Sequence, residues 1–162
     1  MDMDSIDEIK KVDTKKMLDI IEKFPEQIEE GIEIGKTTNI NISFDGKNVV
    51  IAGMGGSAIS GEIIATMMRD ECPLPVVVVK DDVLPSFVNE DSLFIAISYS
   101  GNTDETLSCF LQALKKKCTI ISISSGGRLE EMAKNSDCHI TIPPNMQPRA
   151  AIAYLLFPLV II

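Results

Sequence analysis

The 162-residue chain is 45% apolar and 24% charged. These proportions exclude disordered and collagen-like classes and suit one soluble domain with a real core. Net charge is −9, concentrated in residues 1–33 with their 11 acids and 5 bases; with tryptophan absent and no basic stripe, the balance argues against nucleic-acid binding.

The first stretch, to about residue 35, reads as helical, with Met17, Ile20, Ile21, Phe24 and Ile28 on one apolar stripe of a charged rod. Pro25 is expected to open a second short helix, since proline suits a first turn. Gly31 and Gly35 are expected to weaken its end. Met1 to Asp19 is too charged for a signal peptide. This segment reads as a packing extension with no chemistry of its own.

From Asn48 onward, strand patterns alternate with helical ones. Apolar runs at 48–52, 75–80, 92–97, 119–123 and 138–142 lack polar alternation, as strands covered on both faces do. Between them, Ala58, Ile59, Ile63, Ile64 and Met67 form one helical stripe, and Leu107, Phe110, Leu111 and Leu114 another. Thr103 is placed to cap the second helix, with Asp104 and Glu105 in its first turn and Lys115, Lys116 and Lys117 in its last. The alternation predicts an α/β three-layer sandwich around a five-stranded parallel sheet of flavodoxin-like order. Strands one and three are then neighbours, and ligands bind at their carboxyl ends.

The loops after those two strands carry the chemistry. Gly53-Met54-Gly55-Gly56-Ser57 offers backbone N–H groups in a glycine-rich turn, with Ser57 at the helix start. Ser98-Tyr99-Ser100-Gly101-Asn102-Thr103 adds three hydroxyls ahead of a second helix. Two helix N-termini with free N–H groups make a seat for a phosphate. An acidic protein must hold such an anion with local dipoles and hydroxyls. Each loop alone also fits a purely structural turn. Gly53, Gly55 and Ala58 match a dinucleotide fingerprint as well, but Asp81 and Asp82 lie beyond the usual spacing and that scheme leaves the second loop unused. No Walker lysine is present.

Ser124-Ser125-Gly126-Gly127 and Pro143 to Arg149 are expected at the same sheet edge. Arg149 stands at the start of an apolar helix, where burial without a carboxylate or ligand partner would be costly. His139, the only histidine, lies within a strand pattern and is read as structural; Met54, Met67 and Met68 are read as packing. Cys72, Cys109, Cys118 and Cys138 show no CxxC pair, which reads as reduced thiols in a cytoplasmic protein without structural zinc. Ala150 to Ile162 is uncharged but, at 13 residues, too short for the ~20 of a bilayer span, so it reads as a core or interface helix.

Gly53-Met54-Gly55-Gly56-Ser57, Ser98 through Thr106 and Gln147-Pro148-Arg149-Ala150 stand together in this order in one group of proteins. From about residue 30 the chain resembles the amino-terminal half of the archaeal-type bifunctional phosphoglucose/phosphomannose isomerases of the sugar isomerase (SIS) domain superfamily. The resemblance implies a division into a helical extension, 1–30, and an SIS domain, 31–162, with a second SIS domain absent from this chain. It implies a sugar phosphate whose phosphate is held by Gly55, Gly56, Ser57, Ser98, Ser100 and Thr103, and an enediolate steadied by Arg149. It implies neither metal nor organic cofactor, and a homo-oligomer or a partner second half. The family's glutamate base, ring-opening histidine and further lysine match nothing here; Glu62, Asp104, Glu105 and His139 do not replace them. On this reading the chain is completed by a partner or is part of a longer product, and alone it turns over little. A non-catalytic SIS module that senses a sugar phosphate is the alternative, ahead of a dinucleotide-binding domain.

Overall fold

The structure is a computed structural model that describes residues 5–40 and 42–162. Three helices open the described chain: α1 (Ile6–Val12), α2 (Met17–Glu22) and α3 (Phe24–Thr37). There follow β1 (Asn48–Gly53), α4 (Gly56–Met67), β2 (Val76–Val79), β3 (Ser92–Ile97), α5 (Asp104–Lys115), β4 (Thr119–Ser124), α6 (Gly127–Met132), β5 (Cys138–Thr141) and α7 (Ile152–Ile161). The five strands pair in parallel in the order β2-β1-β3-β4-β5. That is the expected flavodoxin-like order, not the 3-2-1-4-5-6 of dinucleotide-binding sheets. All five strands match the apolar runs in the sequence to within one or two residues at each end.

Side-chain alternation divides the core in two. Val50, Ala52, Phe94, Ala96 and Ile120 join Leu107, Phe110 and Ala113 of α5 and Leu129 of α6 on one face. Ile51, Ile95, Ile97, Ile121, Ile123 and Ile140 join Ile64 of α4 and Tyr154, Leu155 and Leu159 of α7 on the other. Both faces of the central strands are covered, hence the unbroken apolar runs. No helix among the described residues is long and apolar enough to cross a membrane.

The helix faces depart from the stripes read in the sequence. Ile59 and Met67 of α4 are exposed, and its buried face is Ser57, Ala58, Ser60, Gly61 and Ile64. The reason is proximity: a Cβ at Gly61 would lie 2.8 Å from the Ile51 side chain, so only small residues fit where α4 meets β1. In α5, Leu111 faces outward, and Thr106 and Cys109 take buried places instead. Ile21 of α2 is likewise exposed.

Gly31 and Gly35 do not weaken α3. They are buried one turn apart in its interior, where α3 crosses α7. A Cβ at Gly35 would stand 2.9 Å from Ile161 Cβ and 3.0 Å from the Pro158 carbonyl oxygen. The helix therefore runs unbroken through residues 30 and 31, and Tyr154 of α7 donates its hydroxyl to the Glu30 carboxylate. Burial and the Glu30 charge raise the Tyr154 pKa, which keeps that proton in place. Gly35→Val should force this crossing apart and cost about 1–3 kcal/mol, the usual range for overpacking. Urea unfolding should show a lower midpoint; an unchanged midpoint would mean that the two helices do not pack this closely.

Candidate functional site

β1 and β3 run side by side, with Gly53 paired to Ile97 at their carboxyl ends. The loops that follow are therefore neighbours. A Cβ at Gly53 would lie 3.0 Å from the Ile97 carbonyl oxygen and 3.1 Å from the Ser57 backbone, so the chain turns tightly here only as glycine. Gly55 takes φ +54° and α4 begins at Gly56. The Ser57 N–H donates back to the Met54 carbonyl at 3.1 Å and is thus committed to the turn. The N–H groups of Gly55 and Gly56 find no acceptor among the described residues, as helix geometry dictates for a first turn.

Ser57 is 7% exposed and links the two loops: its Oγ accepts the Tyr99 N–H at 3.3 Å. That bond uses the oxygen and leaves the hydroxyl proton to donate elsewhere. Ser98, 1% exposed, lies 3.0 Å from Thr103, oxygen to oxygen. One hydroxyl of that pair donates to the other, so one proton stays free. Thr103 stands at the N-cap position, but its hydroxyl makes no cap bond. It turns to Ser98 instead, and the N–H groups of Asp104, Glu105 and Thr106 are left open. Ser100 is exposed on the same turn, where its Oγ accepts the Asn102 N–H at 3.2 Å. Ser57, Ser98 and Thr103 thus come together with two helix N-termini, a donor set suited to an anion.

The loop after β4 braces this arrangement. A Cβ at Gly101 would overlap the Gly126 carbonyl oxygen at 1.8 Å, and Gly101 itself has φ +68°. The Leu129 N–H donates to the Gly101 carbonyl at 2.9 Å, and both the N–H and the hydroxyl of Ser125 donate to the Tyr99 carbonyl. Tyr99 fastens the next loop as well. Its hydroxyl donates to the Pro143 carbonyl at 3.1 Å and accepts the Met146 N–H at 2.8 Å. Nothing in the sequence singled out this tyrosine, whose role rests on long-range bonds.

Arg149 lies in a single 3-10 turn, Pro148–Ala150, ahead of α7. Contrary to expectation it does not open the apolar helix, because α7 begins only at Ile152; it is exposed, and no ion pair is formed by it among the described residues. It lines a cavity of ≈ 540 Å³ together with Gly55, Gly56, Met54, Met17 and Lys15. The two walls touch closely: a Cβ at Gly56 would be 3.3 Å from the Pro148 carbonyl oxygen. Lys15 comes from the turn between α1 and α2, and Met17 from the start of α2, a segment with no chemical reason in the sequence to single it out. A cleft of ≈ 570 Å³ between α4 and β2 touches none of the loop residues, so volume alone does not mark the site.

Two of the carboxylates near the loops are in ion pairs. Glu62 pairs with Lys80, and Asp104 pairs with Arg128 at 3.0 Å. Cys109 is no nucleophile: burial pushes its thiol up to about 11, with Asp81 and Asp82 adding to the shift, and it donates to the Asp81 carbonyl. The described residues contain no group of three or more His, Cys, Asp or Glu able to hold a metal ion.

The family model for the SIS domain matches residues 44–161. The bifunctional phosphoglucose/phosphomannose isomerase of Caldicellulosiruptor bescii is 45% identical over 148 residues, 90% of this chain and 44% of that protein. The enzyme of the same name from Thermoplasma acidophilum is also 45% identical, over 77% of this chain and 41% of its own length. The chain therefore spans less than half the length of these curated relatives. Among solved structures, the C-terminal domain of glucosamine-fructose-6-phosphate aminotransferase from Francisella tularensis superposes with a TM-score of 0.68 at 22% identity, covering 90% of this chain and 47% of that one. That likeness concerns the fold.

His139 supports the loops from behind. On β5 its Nδ1 lies 2.8 Å from Ser122 Oγ and its Nε2 3.3 Å from Ser124 Oγ, while Ser124 Oγ donates to the Gly126 carbonyl at 2.9 Å. Burial holds its pKa below the ordinary 6.5, opposed in part by Glu130. A histidine kept neutral in this way adds stability fully present above pH 6.5 and lost as pH falls through the lowered value. Titration of the ring by NMR should give a pKa below 6.5; a value above it would mean that the serines hold the charged form.

Proposed function

From the premise that the chain belongs to the SIS domain family, we propose that it is the phosphosugar-binding half of an aldose–ketose isomerase. The substrates on this reading are glucose 6-phosphate and mannose 6-phosphate, interconverted with fructose 6-phosphate. The observation that carries it is the convergence of Ser57, Ser98 and Thr103 with the amino ends of α4 and α5, beside a cavity lined by Arg149. The identity to the Caldicellulosiruptor bescii enzyme supports the choice of reaction.

The phosphate takes the N–H groups of Gly55 and Gly56, those at the start of α5, and the free hydroxyl protons of Ser57 and the Ser98–Thr103 pair; Ser100 completes the set. These donors are neutral, which suits a chain of net charge −9. Fixed in place, they cost little reorganisation when the ligand arrives. Moving a proton between C2 and C1 passes through an enediolate, whose negative oxygens are matched by a planar guanidinium such as that of Arg149. A general base must take and return the proton. None of Glu62, Asp104 and Glu105 matches the family's glutamate base, so on this reading the base comes from a second SIS half or a partner.

The absence of a residue matching the family's base favours a second reading, a non-catalytic module that senses a sugar phosphate. Joining the chain to a second half decides between them. Turnover of fructose 6-phosphate should appear in the joined protein and be nearly absent from the chain alone. Arg149→Lys should then lower kcat about a hundredfold, the scale for an oxyanion contact, with phosphate affinity retained. Ser98→Ala should weaken phosphosugar binding about tenfold or more, as for a hydrogen bond to a charged group. Strong turnover by the isolated chain would overturn the division of labour. Unchanged binding in Ser98→Ala would overturn the phosphate seat.

A further inference from the structure

We propose that Lys15, on the turn between α1 and α2, contacts the sugar portion of the bound phosphosugar and tunes affinity for it. The inference rests on the phosphosugar reading above and adds a residue from the amino-terminal segment to that site. Lys15 lines the same cavity as Gly55, Gly56 and Arg149. None of Ser98, Ser100 and Thr103 lines that cavity. Gly55 and Gly56 belong both to the phosphate seat and to this cavity, so the cavity opens from the glycine side of the seat toward Arg149, where the carbon chain of a seated phosphosugar extends. Lys15 meets its hydroxyl and carbonyl oxygens, not its phosphate.

The turn that carries Lys15 is built. Both carboxylate oxygens of Asp13 cap α2, accepting the N–H groups of Met17 at 2.7 Å and Leu18 at 2.8 Å. These two bonds hold the Asp13 carboxyl below its ordinary range. Lys16 takes a left-handed φ of 53°, and its N–H donates to the Asp13 carbonyl at 3.1 Å. The lysine between them forms no ion pair among the described residues, although residues 1–33 contain 11 acids. Lys15 is exposed at the rim of the cavity that Arg149 also lines, so its ammonium is free to reach a ligand there. A flexible ammonium offers three donors to sugar oxygens without fixing one geometry.

The test compares fructose 6-phosphate with inorganic phosphate by titrating the isotopically labelled chain in NMR. Lys15→Ala should weaken fructose 6-phosphate about tenfold and change inorganic phosphate less than twofold, with Lys15→Arg restoring most of the loss. Lys11→Ala, on α1 and outside this cavity, is the control for bulk charge and should bind as the parent does. Equal affinity of Lys15→Ala and the parent for fructose 6-phosphate overturns the inference alone. So does an equal loss for both ligands, or an equal loss in Lys11→Ala. A parent chain that binds no fructose 6-phosphate overturns the phosphosugar reading, and this inference with it.

Discussion

Everything at the sheet edge depends on the parallel pairing of β1 with β3. Once Gly53 stands opposite Ile97, the two following helices must begin side by side. Their positive ends then point into one crevice, and their first-turn N–H groups have no partner within the helices. A protein built for stability alone would satisfy them, and Thr103 sits where a cap belongs. Its hydroxyl goes to Ser98 instead, and Ser57 spends its oxygen on Tyr99. Donors are thereby left open in a place where donors are usually closed.

That openness is sustained by rigidity around it. Gly101 and Gly126 approach so closely that no side chain fits between the two loops. Tyr99 extends the same bracing to Pro143 and Met146, and so to the turn that carries Arg149. Four loops from one sheet edge are thus bonded to one another through Tyr99, the kind of support a site for a small charged ligand requires. The amino-terminal segment lines the outer side of the cavity through Lys15, on the turn before α2, and Met17.

The sheet was largely legible from sequence. Strands covered on both faces leave continuous apolar runs, and the doubly wound rule orders them once βαβ units are seen. The two loops were legible as a pair, since each alone fits a structural turn but two such turns after neighbouring strands point to an anion together. Helix faces were not. A hydrophobic stripe marks Ile59, Met67 and Leu111 as core, yet close contact with a strand or helix selects small residues such as Ser60, Gly61, Gly31 and Gly35. Gly31 and Gly35, which locally look like helix weakeners, are where α3 and α7 touch. Lys15 and Tyr99 were invisible because their placement depends on contacts far along the chain. The place of Arg149 ahead of α7 was missed because the sequence does not show that a 3-10 turn precedes that helix.

The most direct measurement is a titration of the backbone amides with a hexose 6-phosphate, followed residue by residue. If both turns grip one phosphoryl group, the amides of Gly55 and Gly56 and those of Asp104 to Thr106 shift together, with one midpoint and one equivalent of ligand. Shifts confined to one turn, or two sets with different midpoints, would show that the paired helix ends do not act as a single site.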